Sequence, residues 1–368
     1  MTQLILLCPY LLLLAVCIFS LRKKIRRDSL HEDGNVAGSQ RGLTIVLCIS
    51  HESPEELEQC LAALAQALAS SDCEADEAVL VLDGASAAAE ERAQAFRSSA
   101  TRPTAVIAHK ERKGKKAAQR EAVAMAHNAD IVAIDADCTV APLFLSALRQ
   151  DLHKGQHMLL LPVAMRGAET ALGRMTEMEF TCLQVVTAGT ALAGFPTMAN
   201  GAGMAFSKQL YAEHDSHPEY ASGDDMFLLQ HAMRTGATVA FSTAPATLVE
   251  TAAPATVSAY VRQRARWLSK SGGYGGLGAV HAVALATLLA NMAWPAATLL
   301  AALGISTWSA AAATFLVKLA ADTLCYAAGK RLWRNDVSPL WALPLEALYP
   351  LMIAVVGFKA LLKPKGSW

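Results

Sequence analysis

Four long apolar runs, one opening the chain and three closing it, set the first limit on what this sequence can fold into. Leu4–Leu21 carries no charge and is about long enough to cross a bilayer as a helix. Ala279–Gly304, Trp308–Gly329 and Leu340–Leu362 follow a long polar middle section. The 53% hydrophobic content of the 368 residues is therefore concentrated at the ends, which excludes an ordinary soluble domain and leaves room for one α/β domain between membrane segments.

Charge places these segments. Arg22, Lys23, Lys24, Arg26 and Arg27 follow the first run and hold its C-terminal end in the cytoplasm by the positive-inside rule. A cleaved signal peptide fits less well, because the basic cluster follows the apolar run and no small-residue cleavage site comes after it. The link between the first two C-terminal runs is short and uncharged, as expected outside the cytoplasm, and Lys330, Arg331 and Arg334 mark a cytoplasmic loop. The last run contains Pro344, Glu346 and Pro350. A charge at membrane depth faces protein or water, so this run reads either as a span or as a tilted, re-entrant or interfacial segment. If it spans, Lys363 and Lys365 fall outside, against the same rule. The expected organisation is an N-terminal anchor over 1–21, a basic and polar linker over 22–41, a cytoplasmic domain over 42–278, membrane segments over 279–362 and a tail over 363–368. The expected location is the inner (plasma) membrane of a bacterium.

Lys and Arg total 32, balanced by 32 Asp and Glu, and no basic stretch is interleaved with aromatics, so nucleic acid is excluded as a partner. The eight cysteines show no CxxC spacing. Cys48, Cys60, Cys73, Cys138 and Cys182 fall in the expected cytoplasmic domain and read as reduced core residues. His153 and His157 stand four apart, but no third ligand is near, so they read as solvent-exposed rather than zinc-binding.

The middle section alternates. After a polar linker over 28–41, Leu43–Ile49 has the length and β-branched content of a buried strand. Pro54, Glu55 and Glu56 open a helix with Leu57, Leu61, Leu64 and Leu68 on one face. Strands over Ala78–Leu82, Ala105–Ala108 and Ile131–Ile134 alternate with helices over Ala88–Phe96 and Lys115–His127. This pattern predicts an α/β fold, a mostly parallel sheet with helices on both faces. Ligands bind such sheets beyond the carboxyl ends of the strands, where Glu52, Asp83 and Asp135 all lie.

Asp83 closes a strand, so its carboxylate is placed to accept a hydrogen bond from a nucleobase N–H; it also suits a turn before Gly84. Asp135 and Asp137 share one side of an extended turn. Mg²⁺ and Mn²⁺ take oxygen ligands, often one or two carboxylates plus substrate phosphates, and such an ion neutralises a diphosphate leaving group. Asp224 and Asp225 suit a helix N-terminus, where anions are favoured. Gln263–Trp267 reads QRARW: either an amphipathic interface helix, or a cluster in which Arg266 forks onto a diphosphate and Trp267 stacks under the acceptor or walls a sugar pocket. Lys115 and Lys116 suit nucleotide charge or a solvated helix start.

Taken in order, these segments resemble the family-2 glycosyltransferases of the GT-A fold, in their membrane-anchored branch. Thr44–Glu52 (TIVLCISHE) is similar to the opening strand and its Asn-Glu turn, with His51 in place of Asn. Val81–Ser86 (VLDGAS) is similar to the Asp-Asp-Gly-Ser turn, with Gly84 at the second Asp. Gly114–Ala118 (GKKAA), Ala133–Cys138 (AIDADC, the DxD segment), Asn200–Lys208 (NGAGMAFSK, the acceptor-side Gly-rich segment), Ser222–Leu229 (SGDDMFLL) and Gln263–Trp267 (QxxRW) follow, with Lys270 and Tyr274 also fitting. The resemblance implies an inverting glycosyltransferase using Mg²⁺ or Mn²⁺ and a nucleotide-diphosphate sugar, a UDP-sugar in the first instance. Asp225 becomes the general base and Asp224 the residue orienting the acceptor or a basic neighbour. Glu52, Asp83, Lys115, Asp135, Gly201, Gln263, Arg266 and Trp267 bind substrate, and Asp135 and Asp137 hold the metal. The implied acceptor is a lipid-linked or growing glycan at the cytoplasmic membrane face. A processive polysaccharide synthase of the cellulose or hyaluronan type shares QxxRW, although four apolar segments are few for an export channel within one chain. A catalytically silent scaffold is a third reading, opposed by the presence of all the acids.

Overall fold

The computed structural model describes residues 2–31, 41–152, 156–167, 169–215, 217, 220, 223–270, 273–275 and 278–362. Its elements begin with helices α1 (Thr2–Ile5) and α2 (Cys8–His31), then β1 (Leu43–Ile49), α3 (Pro54–Ala69), β2 (Glu77–Asp83), α4 (Ala87–Ser99), β3 (Thr104–His109), α5 (Lys115–Met125) and β4 (Asp130–Asp135). Next come β5 (Cys138–Val140), α6 (Phe144–Asp151), β6 (Met158–Leu160), β7 (Val163–Arg166), α7 (Ala171–Leu192), β8 (Gly203–Ser207), α8 (Lys208–Glu213), α9 (Asp224–Thr235), β9 (Val239–Phe241) and β10 (Val249–Ala252). Helices α10 (Val257–Leu268), α11 (Ala279–Ala302), α12 (Trp308–Gly329) and α13 (Ala342–Leu362) complete the chain. The contacts divide it into a sheet unit, residues 41–164 and 199–252, and a helical unit, residues 2–29, 165–198 and 253–362.

The sheet unit is built on seven strands in the order β3-β2-β1-β4-β8-β6-β9. β1 pairs in parallel with β2 and β4, β2 with β3, and β6 with β9; only β8 runs against its neighbours β4 and β6. β1 and β2 are buried almost throughout, which is why they read as unbroken apolar runs. β5, β10 and β7 form a second, three-stranded sheet. Ser53 caps α3 in a reciprocal capping box with Glu56, so the helix starts where Pro54 predicts.

The edge of the sheet opposite the strand carboxyl ends is closed by polar pairs. Asp76 is buried and accepts hydrogen bonds from Leu43 N at 2.8 Å and Arg149 Nη2 at 2.9 Å, and it also meets Ser71 Oγ. Glu77 next to it accepts from Thr44 Oγ1 and from the backbone N–H of His127, both at 2.6 Å. These contacts fix where β1 and β2 begin, and so which residues fall at their far ends.

In the helical unit α2 continues through the basic cluster as one helix to His31. Leu14, Cys17 and Leu21 lie on its buried side. A Cβ at Gly189 of α7 would collide with Cys17, so the glycine is what lets α2 and α7 touch. Among the described residues three helical stretches, Ala279–Ala302, Trp308–Gly329 and Pro339–Leu362, are long and apolar enough to cross a membrane. Lys318 of α12 is 1% exposed and donates to Asp322 at 2.7 Å and to Glu346 of α13 at 2.8 Å, while Tyr10 of α2 donates to Asp322 at 2.7 Å. The acid expected to face protein therefore does so.

Candidate active site

Parallel register brings the carboxyl ends of four strands to one line. Cys48 of β1 lies opposite Asp135 of β4, and Asp83 of β2 opposite His109 of β3. Glu52 follows β1 in the loop beyond and accepts a hydrogen bond from Ser50 N at 2.6 Å. Asp83 is 1% exposed, and its two oxygens accept from the backbone N–H groups of Lys113 at 2.6 Å and Gly114 at 2.8 Å. Asp83 thereby shapes the turn that delivers Lys115. His109 supports the same turn, with Nδ1 3.5 Å from Asp83 Oδ1 and Nε2 2.7 Å from Glu121. Gly84 has φ of 66° and a Cβ there would lie 3.0 Å from Arg112 N, so the side chain that the resemblance expects at this position would be strained and tightly packed.

Lys115 opens α5 and forms an ion pair with Asp135 Oδ1. Burial opposes its charge, but the carboxylates of Asp135 and then Asp224 outweigh it and raise the lysine above its ordinary range. Asp137 is exposed, and its oxygens accept from Cys138 Sγ at 3.3 Å and Thr251 Oγ1 at 3.5 Å. The protein packed about it, then the charge of Asp135, hold its pKa above the usual carboxylate range. Burial first of all pushes the neighbouring thiols of Cys48 and Cys60 up to about 12, which keeps them protonated at neutral pH and unsuited to attack on a sugar.

Asp135 and Asp137 fit a hard divalent cation by the chemistry of their donors. The described residues hold no group of three His, Cys, Asp or Glu that would complete a metal cage. Two carboxylates suit Mg²⁺ or Mn²⁺ when phosphate oxygens and water fill the rest of the shell.

Asp224 and Asp225 form the first turn of α9 behind Gly223, whose φ of 101° reverses the chain. Asp225 Oδ2 accepts from Gly201 N at 3.0 Å and Oδ1 from Met226 N at 2.8 Å. Asp224 is buried, and its Oδ2 has no hydrogen-bond partner. A Cβ on Gly201 would stand 3.6 Å from both Asp225 Oδ2 and Lys115 Nζ. Gly201 thus lies where the acid of α9 and the lysine tied to Asp135 converge. Lys116 reaches the other way, donating to His217 O at 2.9 Å and lying 4.8 Å from the Phe227 ring centre.

QRARW lies on α10 in the helical unit. Arg264, at a variable position of the motif, is buried: Nη2 is 2.8 Å from Glu179 Oε2 and the guanidinium lies 4.2 Å from the Trp267 ring centre. Tyr260 and Tyr349 donate to Glu179 Oε1 at 3.0 and 3.1 Å. Gln263 accepts from Arg264 Nη1 at 2.8 Å, while Arg266 and Trp267 are half-buried. Glu179 had one signal in the sequence, an acid inside the largely apolar stretch that becomes α7. The tie between Lys115 and Asp135 had none. His153 and Ser222 lie outside the described residues; His157 is exposed and its Nδ1 accepts from Thr238 N at 3.2 Å.

A mostly parallel sheet flanked by helices, with acids gathered beyond its strand ends, defines a glycosyltransferase domain of the GT-A fold. Residues 41–269 match the family described as "Glycosyltransferase like family 2", and the chain belongs to that family. Among solved structures it is similar to the mannosyltransferase PcManGT from Pyrobaculum calidifontis in complex with GDP-Man and Mn²⁺. The identity is 15% and the TM-score 0.59, over 98% of this chain and 99% of that one. No curated protein matches in sequence.

Proposed function

We propose that this glycosyltransferase is an inverting, metal-assisted enzyme that moves a sugar from a nucleotide-diphosphate donor to a lipid-linked or glycan acceptor at the cytoplasmic face of a membrane. The observation that carries this reading is the convergence on Gly201: Asp225 Oδ2 and Lys115 Nζ flank it, and Lys115 is tied to Asp135. Direct displacement needs a base on one side of the sugar and charge neutralisation on the other, and needs no second nucleophile. Asp225 supplies the base: its carboxylate is fixed by two backbone N–H groups and takes the proton of the acceptor hydroxyl. Asp135 and Asp137 hold Mg²⁺ or Mn²⁺, which when bound stabilises the departing diphosphate. Arg266 and Trp267 serve donor and acceptor, and the apolar helices support a membrane location.

Because the structural neighbour was solved with GDP-Man, GDP-mannose joins the UDP-sugars as a donor to try first. The test incubates purified full-length protein with radiolabelled nucleotide sugars, Mn²⁺ or Mg²⁺ and membrane lipid extract. Label is expected in the lipid fraction, lost with excess chelator and in Asp137→Ala. Label confined to long polymer would favour a processive synthase, and undiminished turnover in chelator would remove the metal from the scheme.

A further inference from the structure

The ion pair between Lys115 and Asp135 occupies a carboxylate assigned above to a divalent cation. An ammonium and a divalent cation cannot share that oxygen without strong like-charge repulsion. Asp224 offers the lysine somewhere else to go. It is 5% exposed, its Oδ2 is buried without a hydrogen-bond partner, and after Asp135 it exerts the next strongest attraction on the lysine. Gly201 stands beside the lysine head, where a Cβ would lie 3.6 Å from Lys115 Nζ, so no side chain of its own crowds the ammonium there.

Resting on the reading of Asp135 and Asp137 as the metal position of a nucleotide-sugar transferase, we propose that Lys115 is a built-in counter-cation. It holds that position against a divalent cation until a nucleoside diphosphate is present, and then turns toward Asp224. The phosphates bring enough negative charge for the ammonium and the divalent cation to stay close together. Metal and nucleotide then enter as a pair, and the empty enzyme does not collect stray cations.

The test measures Mn²⁺ binding to the full-length protein in detergent by the paramagnetic resonance of free Mn²⁺, with no nucleotide and then with GDP or UDP in separate titrations. The decisive comparison needs no nucleotide. Lys115→Met is expected to bind Mn²⁺ alone about tenfold or more tightly than wild type, because a fixed positive charge has gone. Lys115→Arg keeps the charge and is expected to follow wild type, which separates electrostatics from any general disturbance. GDP or UDP, whose phosphates also ligate the ion, should tighten Mn²⁺ binding by a larger factor in wild type than in Lys115→Met. If Lys115→Met binds Mn²⁺ alone no better than wild type while Asp137→Asn abolishes Mn²⁺ binding with nucleotide, the metal position stands and the lysine is a bystander. If Asp137→Asn leaves Mn²⁺ binding intact under every condition, the metal position itself is elsewhere, and the proposal fails with it.

Discussion

The Arg264 guanidinium and the Glu179 carboxylate, 2.8 Å apart and 85 residues apart in sequence, form a buried ion pair that joins α10 to α7. Tyr349 brings α13 to the same carboxylate. Removing one member of such a pair leaves an uncompensated charge, at a cost of about 3–5 kcal/mol. Arg264→Leu should therefore lower the unfolding midpoint of the detergent-solubilised protein by several degrees. Arg264→Lys should also be destabilising, because a lysine reproduces neither the fork nor the stacking on Trp267. An unchanged midpoint in Arg264→Leu would mean that the pair does not hold the helices.

Asp225→Asn keeps the size of the side chain and can retain the hydrogen bond from Gly201 N, but it cannot take a proton. Loss of a general base costs on the order of 10²–10⁴-fold in rate. Donor affinity, measured by calorimetry, should change little. Near-normal turnover, or parallel loss of donor binding and rate in a folded protein, would move the base elsewhere, with Asp224 the next candidate.

Glu77 gives the acid limb of stability a specific origin. Burial raises its pKa, but the hydrogen bonds from Thr44 and His127 outweigh burial and leave it below the ordinary range. A carboxylate depressed on folding stabilises fully above its unfolded pKa of about 4.3, and that contribution is lost as pH falls through the folded value. The wild-type unfolding midpoint should drop more steeply than that of Glu77→Gln below about pH 5. Parallel curves would assign acid sensitivity to other groups.

Topology can be read with introduced cysteines. Cys73 is buried, so it is a poor reporter; Lys110 and Ser309 are exposed. In sealed, right-side-out vesicles an impermeant thiol reagent should label Ser309→Cys from outside and leave Lys110→Cys unlabelled until the membrane is opened. Labelling of Lys110→Cys from outside would overturn the cytoplasmic placement.

How far the sequence could be read follows from what each element buries. β1 to β4 and the helices between them were legible because central parallel strands are apolar throughout and their ends carry local signals, such as the Ser53 capping box. β6 and β9 have three residues each, too few for a period, and β8 runs against its neighbours with no local sign of its direction. α7 escaped notice because it is buried on most of its surface and contains Gly and Thr, so it shows neither a single apolar stripe nor an unbroken apolar run. At the site, Asp135, Asp137 and Asp225 stood out by their place in the pattern. The contacts of Asp83 with Lys113 and of Lys115 with Asp135 span 30 and 20 residues, and only the sheet order brings those ends together.

The Lys318–Glu346 contact bears on how the chain is made. In a bilayer, α13 alone would carry Glu346 into hydrocarbon without a counter-charge, at a cost of a few kcal/mol. Its counter-charge sits on α12, which leaves the ribosome first. Were both helices to cross a bilayer, the partner of Glu346 would therefore already be in place when α13 follows α12, and the two halves of the hairpin would neutralise one another during biogenesis.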